Sequence, residues 1–228
     1  MITTVDVEED ERSVRSGNVP RLRARLRAQT PPGYRWPMHV LLIAGFVAAA
    51  FLITHAQLGG LAASDWPGLG LIFVLLNFAE YATHRWTLHR PVFPRAIYRR
   101  HVIEHHGFFS FEAMAVEDWR DLRWVLFPWW ALPLLVVTVL PLAALVGTTI
   151  SARAGWLFVL GVVLYYGIYE VLHTAAHLPE SHRWAGRPWL RRVTHHHRVH
   201  HDPHLMRRYN FSFVIPFFDI VFGTRHER

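Results

Sequence analysis

Histidine is the residue type in this sequence whose placement most directly implies chemistry. Of 17 histidines, 14 fall within residues 84–106 and 173–204. Four pieces have ligand-like spacing: His84-x4-His89, His101-x3-His105-His106, His173-x3-His177 and His197-x2-His200-His201. A neutral imidazole is the commonest metal ligand among side chains. On an α-helix, positions five apart diverge by about 140°, so His84 and His89 are expected to serve two neighbouring ions. His101 and His105 share a helical face and are expected to grip one metal while His106 turns toward another. His173 and His177 form a chelating i,i+4 pair, and His197 and His200 a close pair with His201 facing elsewhere. These ten imidazoles are too many for one ion; two ions with about five ligands each fit the count.

A single H-x3-H is a weak signal, and a His-rich loop of a metal transporter is the competing explanation. Such loops are usually repetitive, whereas these four pieces differ in spacing and each sits in its own aromatic or Arg context. The sequence contains no Cys. That excludes a disulfide scaffold, a Cys-ligated zinc finger, an iron–sulfur centre and a thiol nucleophile.

The elements that must carry the histidines are apolar runs. Residues 38–64 and 124–152 contain no Asp, Glu, Lys or Arg, and shorter runs cover 66–79 and 154–169. Since about 20 apolar residues cross a bilayer, we expect four spans, near 38–57, 66–84, 124–147 and 154–173. Pro128, Pro133 and Pro141 are expected to kink the third, and Phe127-Pro-Trp-Trp to mark an interface. All 24 basic residues are Arg, and 23 of them fall on one side of this topology, Arg153 being the exception. The positive-inside rule makes that side cytoplasmic, with both termini and both histidine windows on it. The net charge of +7 thereby reads as a topology signal and not as a nucleic-acid patch. Residues 1–32 read as a disordered tail with acidic and basic stretches. It is no cleaved signal peptide, and its Arg21–Arg27 stretch either touches anionic headgroups or marks the cytoplasmic side. The expected fold is all-α: four transmembrane helices in a domain over 33–228, with a cytoplasmic helical cap holding a histidine-rich dimetal site.

The four boxes on four spans, with the closing stretch Leu190-Arg-Arg-Val-Thr-His-His-His-Arg-Val-His-His, then Tyr209-Asn-Phe and Phe218-Asp-Ile-Val-Phe-Gly-Thr224, resemble the fatty acid hydroxylase/sterol desaturase superfamily of integral-membrane di-iron enzymes. The resemblance covers residues 38–224. Carried over by position, it implies His84, His89, His101, His105, His106, His173, His177, His197, His200 and His201 as ligands. A second register, starting from His196, is open. His195 and His196 otherwise stand beside the site, and His204 is a reserve ligand or a surface residue. His182 reads as structural, and His39, His55 and His226 take no role. Glu80 and Glu170 each precede a ligand His by three or four residues and could accept its second ring N–H; an interfacial or ion-paired acid is the alternative. Asn210 resembles a frequent Asn of the family and is a candidate hydrogen-bonding residue near the site.

The resemblance implies two iron ions, with zinc able to occupy such sites in isolated protein. It also implies O2-dependent oxidation of an unactivated C–H bond of a membrane lipid, to an alcohol or an alkene. With no Cys and no fused cytochrome module, electrons must come from a separate ferredoxin or cytochrome b5 with its reductase, and the Arg-rich face suits an acidic donor. Phe108, Phe109, Phe111 and Trp119 are expected at the interface, shaping a lipid entrance or anchoring the chain. A carotenoid hydroxylase is one variant of this reading. A membrane metal-binding or transport protein is the alternative class, and it should place its ligands near the bilayer midplane.

Overall fold

The computed structural model describes residues 12–14, 19–92 and 94–227. Every regular element among the described residues is helical. The principal helices are α1 (Val19–Ala28), α2 (Trp36–Leu58), α3 (Trp66–Thr83), α4 (Ala131–Thr149), α5 (Ala152–Ala176) and α6 (Pro188–His200). Two short stretches, His84–Leu88 and Arg99–His105, are π-helical. The chain divides into two units. One contains residues 35–77 and 127–171; the other contains the described parts of 1–34, 78–126 and 172–228.

The first unit is made of long apolar helices. α2, α4 and α5 are each long and apolar enough to cross a membrane. α3 has 18 residues but carries Asn77 and Glu80, and it is not among the three that meet both criteria. Leu41, Leu52 and Val137 are all more than 60% exposed, a contiguous apolar exposure that a protein in water rarely tolerates. The third expected span is shifted: its helix runs 131–149 and not 124–147. Pro128 lies before the helix, where it breaks the chain direction, and only Pro141 sits in the helix interior. Prolines near a helix start cost little because the first N–H groups have no intrahelical partner.

Polar side chains tie the helix ends of this unit. α2 stops at Gly59, whose φ of 62° suits a residue without a Cβ. Arg153 then donates to the carbonyls of Leu58 (2.7 Å) and Gly60 (2.9 Å) and pairs with Asp65 (2.5 Å). So Arg153, the exception to the expected one-sided distribution, has a structural task. Asn77 Nδ2 donates to the Tyr165 hydroxyl at 3.0 Å. α4 and α5 approach closely at Gly155, where an added Cβ would lie 2.6 Å from the Ala143 carbonyl oxygen.

The second unit carries the histidines. Residues 19–30, expected within a disordered tail, instead form part of it. Leu22 and Leu26, one turn apart on α1, are buried. Arg23 donates to the carbonyls of Ala113 (3.3 Å) and Ala115 (2.7 Å) and lies over the Phe108 ring. Arg27 grips Asp121 with two hydrogen bonds, 2.9 and 2.7 Å. Burial alone would raise the Asp121 carboxyl, but Arg27 and the backbone N–H groups of Asp118 and Glu117 hold it below the ordinary carboxylate range. The Arg-rich helix therefore folds by a buried Leu stripe and arginines aimed at backbone carbonyls. The disordered part of the expectation, residues 1–11 and 15–18, lies outside the described residues.

Candidate metal centre

The two π-helical stretches decide which histidines face which. In i→i+5 hydrogen bonding each turn takes in more residues, so residues five apart come round to about the same side. His84 and His89, bounding the first such stretch, therefore converge where an α-helix would have splayed them. In the second, His101 aligns with His106 and leaves His105 pointing elsewhere. On α6, an ordinary helix, His197 aligns with His201 four residues on, and His200 faces away from both.

Two groups of imidazoles result. The ligand nitrogens of His84, His89, His101, His106 and His200 lie within 4.8 Å of one another, as do those of His105, His177, His197 and His201. His173 joins the second group through its Nε2, 3.1 Å from His105 Nε2. All ten box histidines thus converge, but in a partition that differs from the expected one. His101 pairs with His106 and not with His105, and His197 pairs with His201 and not with His200. The His106 and His201 rings stack at 4.1 Å and join the two groups.

The hydrogen bonds on the far side of the rings fix their tautomers. The Nδ1 of His84 donates to the Phe211 carbonyl (2.6 Å), that of His105 to Trp124 (2.8 Å) and that of His177 to Met114 (2.8 Å). His200 Nδ1 donates to Tyr209 (3.0 Å) and His201 Nδ1 to Phe109 (2.7 Å). A carbonyl only accepts, so each of these Nδ1 atoms carries the proton and each Nε2 presents a lone pair. Yet the Nε2 atoms face one another: His84 and His101 at 2.9 Å, His89 and His200 at 2.9 Å, His177 and His197 at 3.1 Å, His201 and His197 at 3.1 Å. The carbonyl-held rings alone bring two lone pairs into the first group, from His84 and His200, and three into the second, from His105, His177 and His201, and convergent lone pairs repel unless a cation lies among them. At a metal–nitrogen distance of about 2.0–2.1 Å, neighbouring ligands on one ion stand roughly 2.9–3.4 Å apart. The residues present fit two ions held by imidazole alone.

Charge points the same way. Burial, followed by repulsion from neighbouring imidazoles, pushes His89, His101, His106 and His197 well below the usual histidine range, and burial takes His201 down to about 3. The rings are neutral near pH 7, which is the ligating form. Apolar rings close the site: Phe109 lies 4.3 Å from His177 and Phe213 4.6 Å from His197, centroid to centroid. Phe108 and Phe109, expected at a lipid interface, are fully buried. Phe108 packs on Trp124, and Phe109 against the imidazoles, because the π-helical turn before them points them inward. Trp119 is exposed.

Histidines outside the boxes stand apart from both groups. The His196 ring donates Nε2 to the Ser212 carbonyl at 3.1 Å, so His197 and not His196 faces the cluster. His195 and His204 are both exposed and lie outside both groups. His39 bonds the Phe127 carbonyl at 2.9 Å, and His182 accepts from the Trp184 N–H in a surface turn. His55 packs on Phe51 and His226 on Tyr209.

The acids act differently from the expectation. Glu80 accepts from the N–H groups of Phe213 (2.6 Å) and Val214 (3.2 Å). Glu170 accepts from the Phe127 N–H (3.2 Å) and the Tyr166 hydroxyl (2.9 Å). Asn210, with φ of 60°, donates to the carbonyls of His196 and His226 and accepts from the His226 N–H. Asp219, which the sequence reading passed over, is fully buried. It accepts from the N–H groups of Phe211 (2.9 Å) and Ser212 (2.6 Å) and from the Thr224 hydroxyl (2.7 Å). Residues 209–214 are thus a strap. Its N–H groups are held by Asp219 and Glu80, and its carbonyls orient His84, His200 and His196. A lone acid in the apolar run Phe217–Phe222 was the available signal.

No curated protein and no solved structure matches the chain. A family model described as fatty acid hydroxylase matches residues 69–224, a stretch that contains all ten converging histidines and the strap that orients them: the chain belongs to the fatty acid hydroxylase family.

Proposed function

We propose that the chain is a membrane di-iron oxidoreductase that hydroxylates or desaturates an unactivated C–H bond of a lipid, using O2 and electrons from a separate protein. The observation that carries this reading is the convergence of the box imidazoles into two groups, with Nε2 atoms 2.9–3.2 Å apart and the Nδ1 atoms of His84, His105, His177, His200 and His201 held by backbone carbonyls. Family membership supplies the reaction class, and the exposed apolar helices favour a substrate that reaches the protein through the membrane. His84, His89, His101, His106 and His200 would hold one ion, and His105, His173, His177, His197 and His201 the other. Imidazole ligation alone suits iron and zinc alike; iron, when bound, would supply O2 activation and oxidation of the C–H bond. The chain's own residues keep the rings neutral, aim each lone pair inward and, through Phe109, Phe211 and Phe213, exclude water from the centre. α3 would complete four spans, its Asn77 and Glu80 being turned to bonds within the protein. The Arg-bearing side, with both termini and the histidine clusters, would face the cytoplasm and receive an acidic ferredoxin or cytochrome b5.

The test is metal content per chain together with untargeted lipid mass spectrometry of cells with and without the gene. Two ions per chain, and lipids that gain one oxygen or lose two hydrogens, support the reading. A purified chain that takes up metal into vesicles without changing any lipid overturns it.

A further inference from the structure

A cavity of the histidine-bearing unit lies away from the imidazoles. It measures about 720 Å³ and is lined by the outer face of α6 and the turn before it. Arg191, Thr194, His195 and Arg198 line it; spaced three, four and seven apart, they share one helical face. Arg192 adds a third guanidinium, and Glu180 is the sole acid in the wall. Arg191 and Arg192 are exposed and have no ion-pair partner among the described residues. Arg198 is fixed by its Nε, which donates to the Phe111 carbonyl at 2.7 Å. The rest of the lining includes apolar residues, Ala175, Leu178, Ala185 and Pro188.

We propose that this cavity binds the phosphate group of an amphiphile. Three guanidinium groups, a hydroxyl and an imidazole around one concavity match an oxyanion with several acceptor oxygens, and Arg forks bind phosphate bidentately. The Leu178–Pro188 wall provides for an apolar portion beside the charge. The volume falls within the roughly 300–1,000 Å³ usual for small-ligand sites, whereas a docking protein needs a broad, flatter face. His197, His200 and His201 are buried and do not line the cavity, so a ligand here stands apart from the imidazoles. The site anchors or senses a phosphorylated amphiphile; it is not where the C–H bond would react, and it stands independently of the proposed oxidation.

The experiment uses the full chain, purified in detergent and examined by native mass spectrometry with dioctanoyl phosphatidic acid, dioctanoylglycerol and inorganic phosphate. The wild type is expected to hold the phosphatidic acid about tenfold or more tightly than the diacylglycerol, from the added charge-assisted bonds. An R191Q/R192Q double variant, with its metal content unchanged, should lose that preference. Displacement by inorganic phosphate at comparable concentration supports the site and extends it to soluble phosphorylated compounds. Displacement only at far higher concentration supports it and assigns it to lipid. Equal retention of both lipids, an unchanged double variant, or salt-sensitive binding of an acidic ferredoxin with no competition from phosphate overturns the proposal.

Discussion

The backbone carbonyls of the strap that Asp219 anchors orient box imidazoles of only one of the two groups, and this makes replacement of Asp219 unusually diagnostic. Asp219→Ala leaves three buried donors, the N–H groups of Phe211 and Ser212 and the Thr224 hydroxyl, without their acceptor. Each unsatisfied buried donor costs about 1–3 kcal/mol. Because the three share one site and relax together, a total of about 3–5 kcal/mol is expected. The released strap carries the carbonyls that orient His84 and His200, both in the first group. The second group is oriented by Phe109, Met114 and Trp124, none of which touches the strap's carboxylates. Loss of an orienting partner typically weakens metal affinity about 10–100-fold. Chelator titration of purified protein should therefore release one ion per chain about 10–100-fold more easily in Asp219→Ala, with the other ion held as in wild type. Asp219→Asn, which keeps one acceptor oxygen, should fall between. Simultaneous loss of both ions in a folded Asp219→Asn protein, or no change in either, would refute the strap as the first group's support.

The mirror experiment is Arg23→Met. It removes the donors to Ala113 and Ala115 that flank the Met114 carbonyl on His177, so it should loosen the second ion by about tenfold and spare the first; the same chelator titration reads it. His197→Gln should reduce bound metal toward one ion per chain, whereas His196→Gln should retain both, as counted by elemental analysis; the reverse ranking would favour the other register. Burial holds His201 at about 3 in the folded chain, against about 6.5 when unfolded. Between those values only the unfolded chain takes up the proton. The metal-free protein should thus keep this contribution above about pH 6.5 and lose it as pH falls toward 3. Thermal melts from pH 8 to 4 check the sign, and a melting temperature that rises on acidification contradicts it.

How much of this was legible in the sequence depended on range. The ten box histidines could be picked out by spacing and by the resemblance, and α2 and α5 followed from charge-free runs. The partition of the first two boxes was not legible, because it depends on π-helical turns at His84–Leu88 and Arg99–His105, where a reading at 100° per residue rotates the rings incorrectly; on α6, an ordinary helix, the four-residue spacing of His197 and His201 was open to the sequence. Ring orientation was looked for in nearby acids, Glu80 and Glu170, since carboxylates are visible as residue types. Backbone carbonyls such as those of Phe109 and Trp124 do most of it, and no residue type marks them. The helix Val19–Ala28 was hidden by its arginines, which lower its average hydrophobicity although Leu22 and Leu26 form a sound buried stripe. Pro128 was misread as a kink because the apolar run continues through the break in the helix.

The strap has a consequence for synthesis. By the time His201 has been made, every imidazole of both groups exists. The three carbonyls that aim the second group, at residues 109, 114 and 124, are also already in place. The first group still lacks its supports, because Tyr209, Phe211 and Asp219 are the next residues to be added. If both groups hold metal as proposed, maturation of the two halves would be staggered along the chain, the first group becoming loadable only when the final stretch has folded back, so that a prematurely released chain would hold all the ligands and yet mature only one half of the centre.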